Sequence, residues 1–198
     1  MARKFKFLVT DLDGTLASLP IVFDDIRNKV RAFLKTDHPL RPLAVSIPAV
    51  TGGNKDLMEK AFKIIEEEEL KATSQATYNP ELHNFLKRLK AEGFKIGLVT
   101  QQGQKPAEVA LMRMQIYELF DVLVARECVI DRAEQLRLAL KLLGGAPEET
   151  IYLGDSPMDL EAGTLVGCFT VIVGERVSGA PLKINKFIDV EKLIANYK

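Results

Sequence analysis

Asp11 and Asp13 stand on either side of one leucine, at the end of the apolar run Lys6-Phe7-Leu8-Val9-Thr10. Two carboxylates so close repel each other unless a cation or a proton lies between them, and a merely structural turn gains nothing from that repulsion. Two more apolar runs finish on polar groups. Phe94 to Val99 leads into Thr100-Gln101, and Ile151-Tyr152-Leu153 leads into Gly154-Asp155-Ser156, with Asp159 beyond. Neighbouring strands of a parallel sheet point the same way, so the three polar ends would emerge along one edge, where open α/β sheets bind ligands. At least three carboxylates and a hydroxyl converging there suit phosphate transfer.

The spacing of apolar residues predicts the elements that carry these ends. After the Asp11 strand, Val22, Phe23, Ile26, Val30, Phe33 and Leu34 recur at helical intervals. Leu57, Met58, Ala61, Phe62 and Ile65 do the same between about Asp56 and Leu70. The stretch between them, from His38-Pro39 to Thr51-Gly52-Gly53, is rich in Pro and Gly and reads as a loop. Asn79-Pro80 reads as an N-cap followed by proline at the first helical position, and Gly93 is placed to end that helix. The chain then alternates: strand 94–99, helix 106–116, strand 121–125, helix 133–143, strand 151–153, helix 158–166, strand 169–173, and a last helix over 189–197. Such alternation predicts an α/β fold, a parallel sheet with helices on both faces. Roughly sixty residues of purely helical pattern separate the first strand from the second, far more than an ordinary connection. Residues 17–77 are therefore read as a small all-helical cap inserted into a core of 1–16 and 78–198.

Bulk composition fits this reading. A chain of 198 residues has room for one core domain and a small accessory one. Lys and Arg total 27 against 27 Asp and Glu, so no basic excess points to nucleic acid. The apolar runs are too short to span a membrane. Met1-Ala2-Arg3-Lys4 leads straight into a strand, without the apolar stretch and cleavage site of a signal peptide. Cys128 and Cys168 have no metal-type spacing and are expected to be small buried hydrophobes in a reducing cytosol. The run Glu66-Glu67-Glu68-Glu69 reads as a solvated helix end, and His38 and His83 as exposed side chains. Nothing in the pattern speaks to oligomeric state.

Asp11-Leu12-Asp13-Gly14-Thr15-Leu16 resembles the first motif of the haloacid dehalogenase-type hydrolases, the phosphatase branch in particular. Val99-Thr100 resembles the second motif, and Gly154-Asp155-Ser156-Pro157-Met158-Asp159-Leu160-Glu161-Ala162-Gly163 the fourth. The resemblance runs the length of the chain, includes a helical cap after the first motif, and implies a Rossmann-like core. Phosphoglycolate phosphatase-like and other sugar-phosphate phosphatases are the nearest comparison.

The resemblance implies a Mg²⁺-dependent phosphomonoesterase acting on a small phosphorylated metabolite. Asp11 would attack phosphorus and form an aspartyl-phosphate, dividing one hard displacement into two easier ones. Asp11, Asp155 and the backbone carbonyl of Asp13 would hold the Mg²⁺ ion, which screens the charge of the transferring group. Asp13 would protonate the leaving oxygen and then take a proton from water. Gly14 allows a tight turn, and Thr15 is expected to fix it by a side-chain hydrogen bond. Thr100 would offer its hydroxyl, and Gln101 its N–H, to phosphoryl oxygens. Asp159, one helical turn beyond Asp155, would support the metal from behind. Its type and place also suit a plain helix cap.

One part of the family pattern is missing. The third motif supplies a lysine, usually followed by proline, and here that stretch reads Glu127-Cys128-Val129-Ile130-Asp131-Arg132-Ala133. Counting back from Leu142-Leu143-Gly144 puts Ile130 at the lysine position, and a shift of two residues brings in Arg132. A site with three carboxylates and a phosphate needs a basic side chain, so Arg132 is expected to point at the Asp11–Asp155 cleft, with Arg126 and Lys105 as alternatives. The second motif departs as well, with Gln101-Gln102 where a small polar residue often follows the threonine. A phosphomutase uses the same residues, and a non-catalytic binding module could lack the lysine. Intact Asp11, Asp13 and Asp155 argue against the module.

Overall fold

A computed structural model describes residues 5–196; the charged start at 1–4, and residue 197 of the expected last helix, lie outside that range. The described strands are β1 (Phe7–Thr10), β2 (Lys95–Val99), β3 (Val122–Val124), β4 (Thr150–Gly154), β5 (Phe169–Val173) and β6 (Lys183–Ile184). They form one parallel sheet in the order β3-β2-β1-β4-β5-β6. The helices are α1 (Phe23–Leu34), α2 (Leu43–Val50), α3 (Lys55–Thr73), α4 (Pro80–Ala91), α5 (Gln104–Arg113), α6 (Arg132–Leu143), α7 (Pro157–Val166) and α8 (Val190–Asn196). None is long and apolar enough to cross a membrane among the described residues.

Alternation along the strands divides the core into two layers. Leu8, Ile96, Leu98, Ile151 and Leu153 pack with Leu82, Phe85 and Leu86 of α4, Ala110 and Leu111 of α5, and Ile194 of α8. Phe7, Val9, Val99, Val124 and Tyr152 pack on the other face with Leu136, Ala139, Leu140 and Leu143 of α6. Thr10 lies opposite Leu98 on one side and Leu153 on the other, so β1, β2 and β4 finish level. The chain leaves β1 toward β2 and β3, then returns to its other side as β4. The strand order therefore reverses at β1, where a crevice opens beyond the carboxyl ends.

Helices α1 to α3 carry a core of their own. Ile26 and Val30 of α1, Leu43 and Ile47 of α2, and Ala61 and Ile65 of α3 are buried together with Leu40. Helix α2 occupies part of the stretch that the sequence suggested was loop. Its Pro and Gly content misleads: Pro42 stands at the N-cap, Pro48 is accommodated inside the helix, and Ser46 Oγ donates to the Pro42 carbonyl (2.6 Å) and Thr51 Oγ1 to that of Ile47 (2.9 Å). Strand β6, only two residues long, was also not foreseen. The expected helix at 79 is as read: Asn79 accepts the N–H groups of Glu81 (3.0 Å) and Leu82 (3.2 Å), and Gly93 follows the end of α4 with φ +89°.

Several side chains depart from expectation. Cys128 is exposed and Cys168 half-buried, so neither is a fully buried hydrophobe. His83 is half-buried with its ring 5.5 Å from that of Tyr78, whereas His38 is exposed.

Candidate active site

Strand β1 ends on Thr10, and the next N–H, that of Asp11, donates to the Leu153 carbonyl (2.9 Å), which seats the aspartate beside β4. The chain then folds tightly. The N–H groups of Leu16 and Ala17 both donate to the Leu12 carbonyl at 3.0 Å, and that of Gly14 donates to Ala17 (2.7 Å). Gly14 has φ +84°, and a Cβ there would sit 2.2 Å from Asp155 Oδ2. Only glycine fits both the conformation and the approach. Thr15 does not fix this turn as expected: its hydroxyl is buried without a partner, and the backbone bonds do the holding. Asp13 accepts the Leu19 N–H at Oδ1 (2.9 Å), so its carboxylate ties the turn to the start of the insertion.

Asp11, Asp155 and Asp159 are all buried and offer oxygens within 4.8 Å of one another. Arg132, at the start of α6, reaches into this group. Its Nη2 donates to Asp11 Oδ1 (2.9 Å) and its Nε lies 3.3 Å from Asp159 Oδ1, while Nη1 is buried with no partner. Ile130, at the position where counting placed the lysine, contributes only its carbonyl, which accepts from the Gln101 amide. Asp155 is met from outside by Arg176, whose Nη1 is 2.5 Å from Oδ2. Asp159 lies in the first turn of α7, whose N-cap is Ser156. It closes a capping box on α7 with Ser156, taking that residue's N–H (3.1 Å) and hydroxyl (2.5 Å), and it also accepts the Tyr152 hydroxyl (2.5 Å). One carboxylate thus ties the loop after β4 to Arg132.

So many acids in one buried place oppose ionisation. Burial pushes the Asp11 carboxyl up to about 8; Arg132 works against the rise, and Asp159 and Asp155 add to it. Burial likewise raises Asp13 and Asp155, with the Leu19 N–H opposing at Asp13 and Asp159 reinforcing at Asp155. Burial alone would lower Arg132, but Asp11 and Asp159 outweigh it and hold the guanidinium charged.

Thr100 is buried at the end of β2, and its oxygen accepts the Gln102 N–H (3.1 Å), leaving its own proton free to donate. The Gln101 N–H has no acceptor among the described residues. A cavity of about 310 Å³ opens here. Asp11, Asp13, Thr100, Arg132 and Asp155 line it from the sheet edge, and Phe23, Leu43, Ile65 and Glu69 from the helical insertion. The residues proposed from sequence as catalytic, phosphate-holding and metal-binding thus share one cavity.

Sequence reasoning missed Arg176, whose exposed side chain belongs to no periodic pattern, and Glu69. The acidic run is not all solvated. Glu68 pairs with Lys29 and Lys71 near the surface, but Glu69 is buried. The signal was present, since Ala61, Ile65, Glu69 and Ala72 fall on one helical face and all are buried.

The sequence pattern of the family described as Haloacid dehalogenase-like hydrolase matches residues 8–173, which takes in every site residue named so far except Arg176. The chain belongs to that family. Among curated relatives, the Pyrophosphatase PpaX of Bacillus cereus (strain AH820) is 29% identical over 192 residues, covering 89% of this chain and 86% of the relative. Among solved structures, β-phosphoglucomutase (pgmB) from Clostridium difficile superposes with a TM-score of 0.74 at 18% identity, covering 98% of this chain and 97% of the other. CbbY from Rhodobacter sphaeroides, solved in complex with phosphate, gives 0.69 at 18% identity over 94% and 96%. These likenesses establish the Rossmann-like α/β fold with a parallel sheet.

Proposed function

We propose that the protein is a Mg²⁺-dependent phosphomonoesterase that hydrolyses a small phosphorylated metabolite in the cytosol through an aspartyl-phosphate on Asp11. The observation that carries this reading is the meeting of Asp11, Arg132, Thr100 and Asp155 in one cavity at the point where the strand order reverses. Every candidate metal donor is an oxygen, and burial raises the carboxyls of Asp11 and Asp155, so their ionised forms call for a cation beside them. Such a donor set fits a hard divalent cation. Asp11, Asp155 and the Asp13 carbonyl would hold Mg²⁺, which when bound offsets charge on the carboxylates and the phosphoryl group.

In the first step an Asp11 oxygen forms a bond to phosphorus while the ester P–O bond breaks, and Asp13 gives its proton to the leaving oxygen. Burial favours the protonated form of Asp13 that this step needs. In the second, water attacks the phosphorus, returns a proton to Asp13 and releases Asp11. The free Nη1 of Arg132, the Thr100 hydroxyl and the Gln101 N–H are donors left over for phosphoryl oxygens. Phe23, Leu43 and Ile65 give the cavity an apolar wall, which favours a leaving group with a carbon skeleton. The name of the Bacillus relative makes inorganic pyrophosphate the natural competitor.

The test is a purified-protein screen of phosphomonoesters and pyrophosphate with Mg²⁺ and with excess chelator. Phosphate release is expected with the metal and none with chelator, and Asp11→Asn should lower turnover by ~10⁴ or more. Full activity in chelator, or near wild-type rates in Asp11→Asn, would end the proposal.

A further inference from the structure

Arg126, just after β3, and Glu69, on α3 of the insertion, form a second buried ion pair that the proposed chemistry does not use. Their side chains are only 3% and 4% exposed. The fork is closed: Nη1 meets Glu69 Oε1 at 2.8 Å and Nη2 meets Oε2 at 3.1 Å, and the guanidinium carbon lies 5.0 Å from the Phe62 ring centroid. A bidentate pair this dry is costly to form, so its remaining bonds indicate what it holds.

Those bonds run to one loop. Arg126 Nη1 also donates to the Gln101 carbonyl (3.0 Å), and its backbone N–H donates to the Gln102 carbonyl (3.1 Å). Glu69 Oε2 takes the next N–H, that of Gly103 (3.1 Å), and Glu127 takes that of Gln104 (2.9 Å). Gly103 is the N-cap of helix α5 and has no side chain to cap it, so carboxylates from elsewhere in the chain do so. The fit is close: a Cβ on Gly103 would lie 3.0 Å from Arg126 Nη2 and 3.0 Å from Glu127 Oε1. The loop held in this way begins with Thr100 and the unpaired Gln101 N–H.

We infer that Glu69 and Arg126 are positioning residues for the phosphoryl-binding loop, so that a carboxylate of the helical insertion sets the geometry in which Thr100 and Gln101 meet the phosphoryl group. The inference rests on the proposed reading of that loop. With the carbonyls of Gln101 and Gln102 both gripped by Arg126, the peptide units on either side of Gln102 cannot rotate freely. Removing the grip lets the donors of Thr100 and Gln101 wander from a shared focus. Misplacement of this kind is felt in binding and rate though no contact to substrate is lost.

The experiment uses inorganic phosphate as the probe, in Mg²⁺, with its affinity read by calorimetry alongside Mg²⁺ affinity and thermal melting. The double variant Glu69→Leu with Arg126→Met replaces the pair by apolar side chains of similar size, an exchange that tends to preserve stability. It is expected to melt close to wild type and bind Mg²⁺ unchanged, while phosphate affinity falls roughly ten- to a hundredfold. Glu69→Gln keeps one acceptor oxygen for the three donors that meet Glu69, Arg126 Nη1 and Nη2 and the Gly103 N–H, and should recover part of that loss. It also serves should the double variant not fold. Unchanged phosphate affinity in either folded variant overturns the inference, as does equal loss of Mg²⁺ and phosphate affinity, which would mark the pair as general scaffold. A wild-type protein that binds phosphate but hydrolyses no ester refutes the proposed activity while leaving this comparison readable. A wild type that binds no phosphate removes both.

Discussion

Two arginines are buried among the described residues, Arg126 and Arg132, and they are satisfied in opposite ways. Arg126 faces one carboxylate, Glu69, with both prongs of its fork used and a carbonyl besides. Arg132 faces Asp11 and Asp159, yet its Nη1 has no partner, and the acids around it outnumber it. A closed pair holds parts together. An open one, with charge and donors left over, is poised for something that is not part of the chain. The difference separates the element that shapes the loop from the element that would meet the phosphoryl group.

Truncating each arginine should sharpen that contrast. Arg126→Ala leaves the Glu69 carboxylate buried without its cation, and a cost of about 3–5 kcal/mol is expected, read as a large fall in melting temperature. Arg132→Ala should melt nearer to wild type in the metal-free protein, because Asp11 already leans toward its neutral form and can take a proton instead. Equal destabilisation by the two would break the distinction. For activity, Arg132→Ala is expected to lose roughly 10²- to 10³-fold in kcat/KM, as when a donor to developing charge is removed. Arg132→Lys should regain part of it, since an ammonium keeps the charge but not the fork. Unchanged kinetics in Arg132→Ala would remove this residue from the site.

The open site also predicts a pH trend. Asp11, Asp13 and Asp155 are raised by burial, so the native state holds protons that the unfolded chain has already released. Native-state proton excess makes stability fall as pH rises, from the ordinary carboxylate range up to about 8 for Asp11. In chelator, the melting temperature should therefore decline between about pH 5 and pH 8, and Asp11→Asn should flatten the decline. A rise over that interval would contradict the buried-charge account. Arg176 should matter least. Its side chain is 72% exposed, so solvent weakens its pull on Asp155, and Arg176→Ala is expected to change kcat/KM by only about two- to fivefold. A much larger loss would bring Arg176 into the central machinery.

Local chemistry made much of this legible in sequence. The order of strands and helices, the Asn79 cap and the long helical insertion follow from periodicity and turn residues, and Asp11, Asp13 and Asp155 from strands that end on acids. Arg132 could be placed by its position two residues from the expected lysine together with charge balance, because a cluster of carboxylates needs a cation nearby. What escaped depends on tertiary packing. Helix α2 forms in spite of its prolines because its apolar face is covered by α1 and α3. Glu69 looked like one of four surface acids until α3 was laid against the core, where Arg126 waits on another segment. Thr15 resembled a turn-fixing hydroxyl, but the backbone had already closed that turn.

The central claim is that Asp11 carries the phosphoryl group. An aryl phosphate with a good leaving group needs little help from an acid in the first step, whereas hydrolysis of the intermediate still needs the base. Asp13→Asn, mixed with such a substrate in Mg²⁺, quenched in acid and examined by peptide mass spectrometry, should therefore accumulate phosphate on the peptide containing Asp11. The same peptide should stay unmodified when Asp11→Asn is added. Turnover by the wild type with no phosphorylated peptide in the trapping variant, or with the label on another residue, would contradict the account.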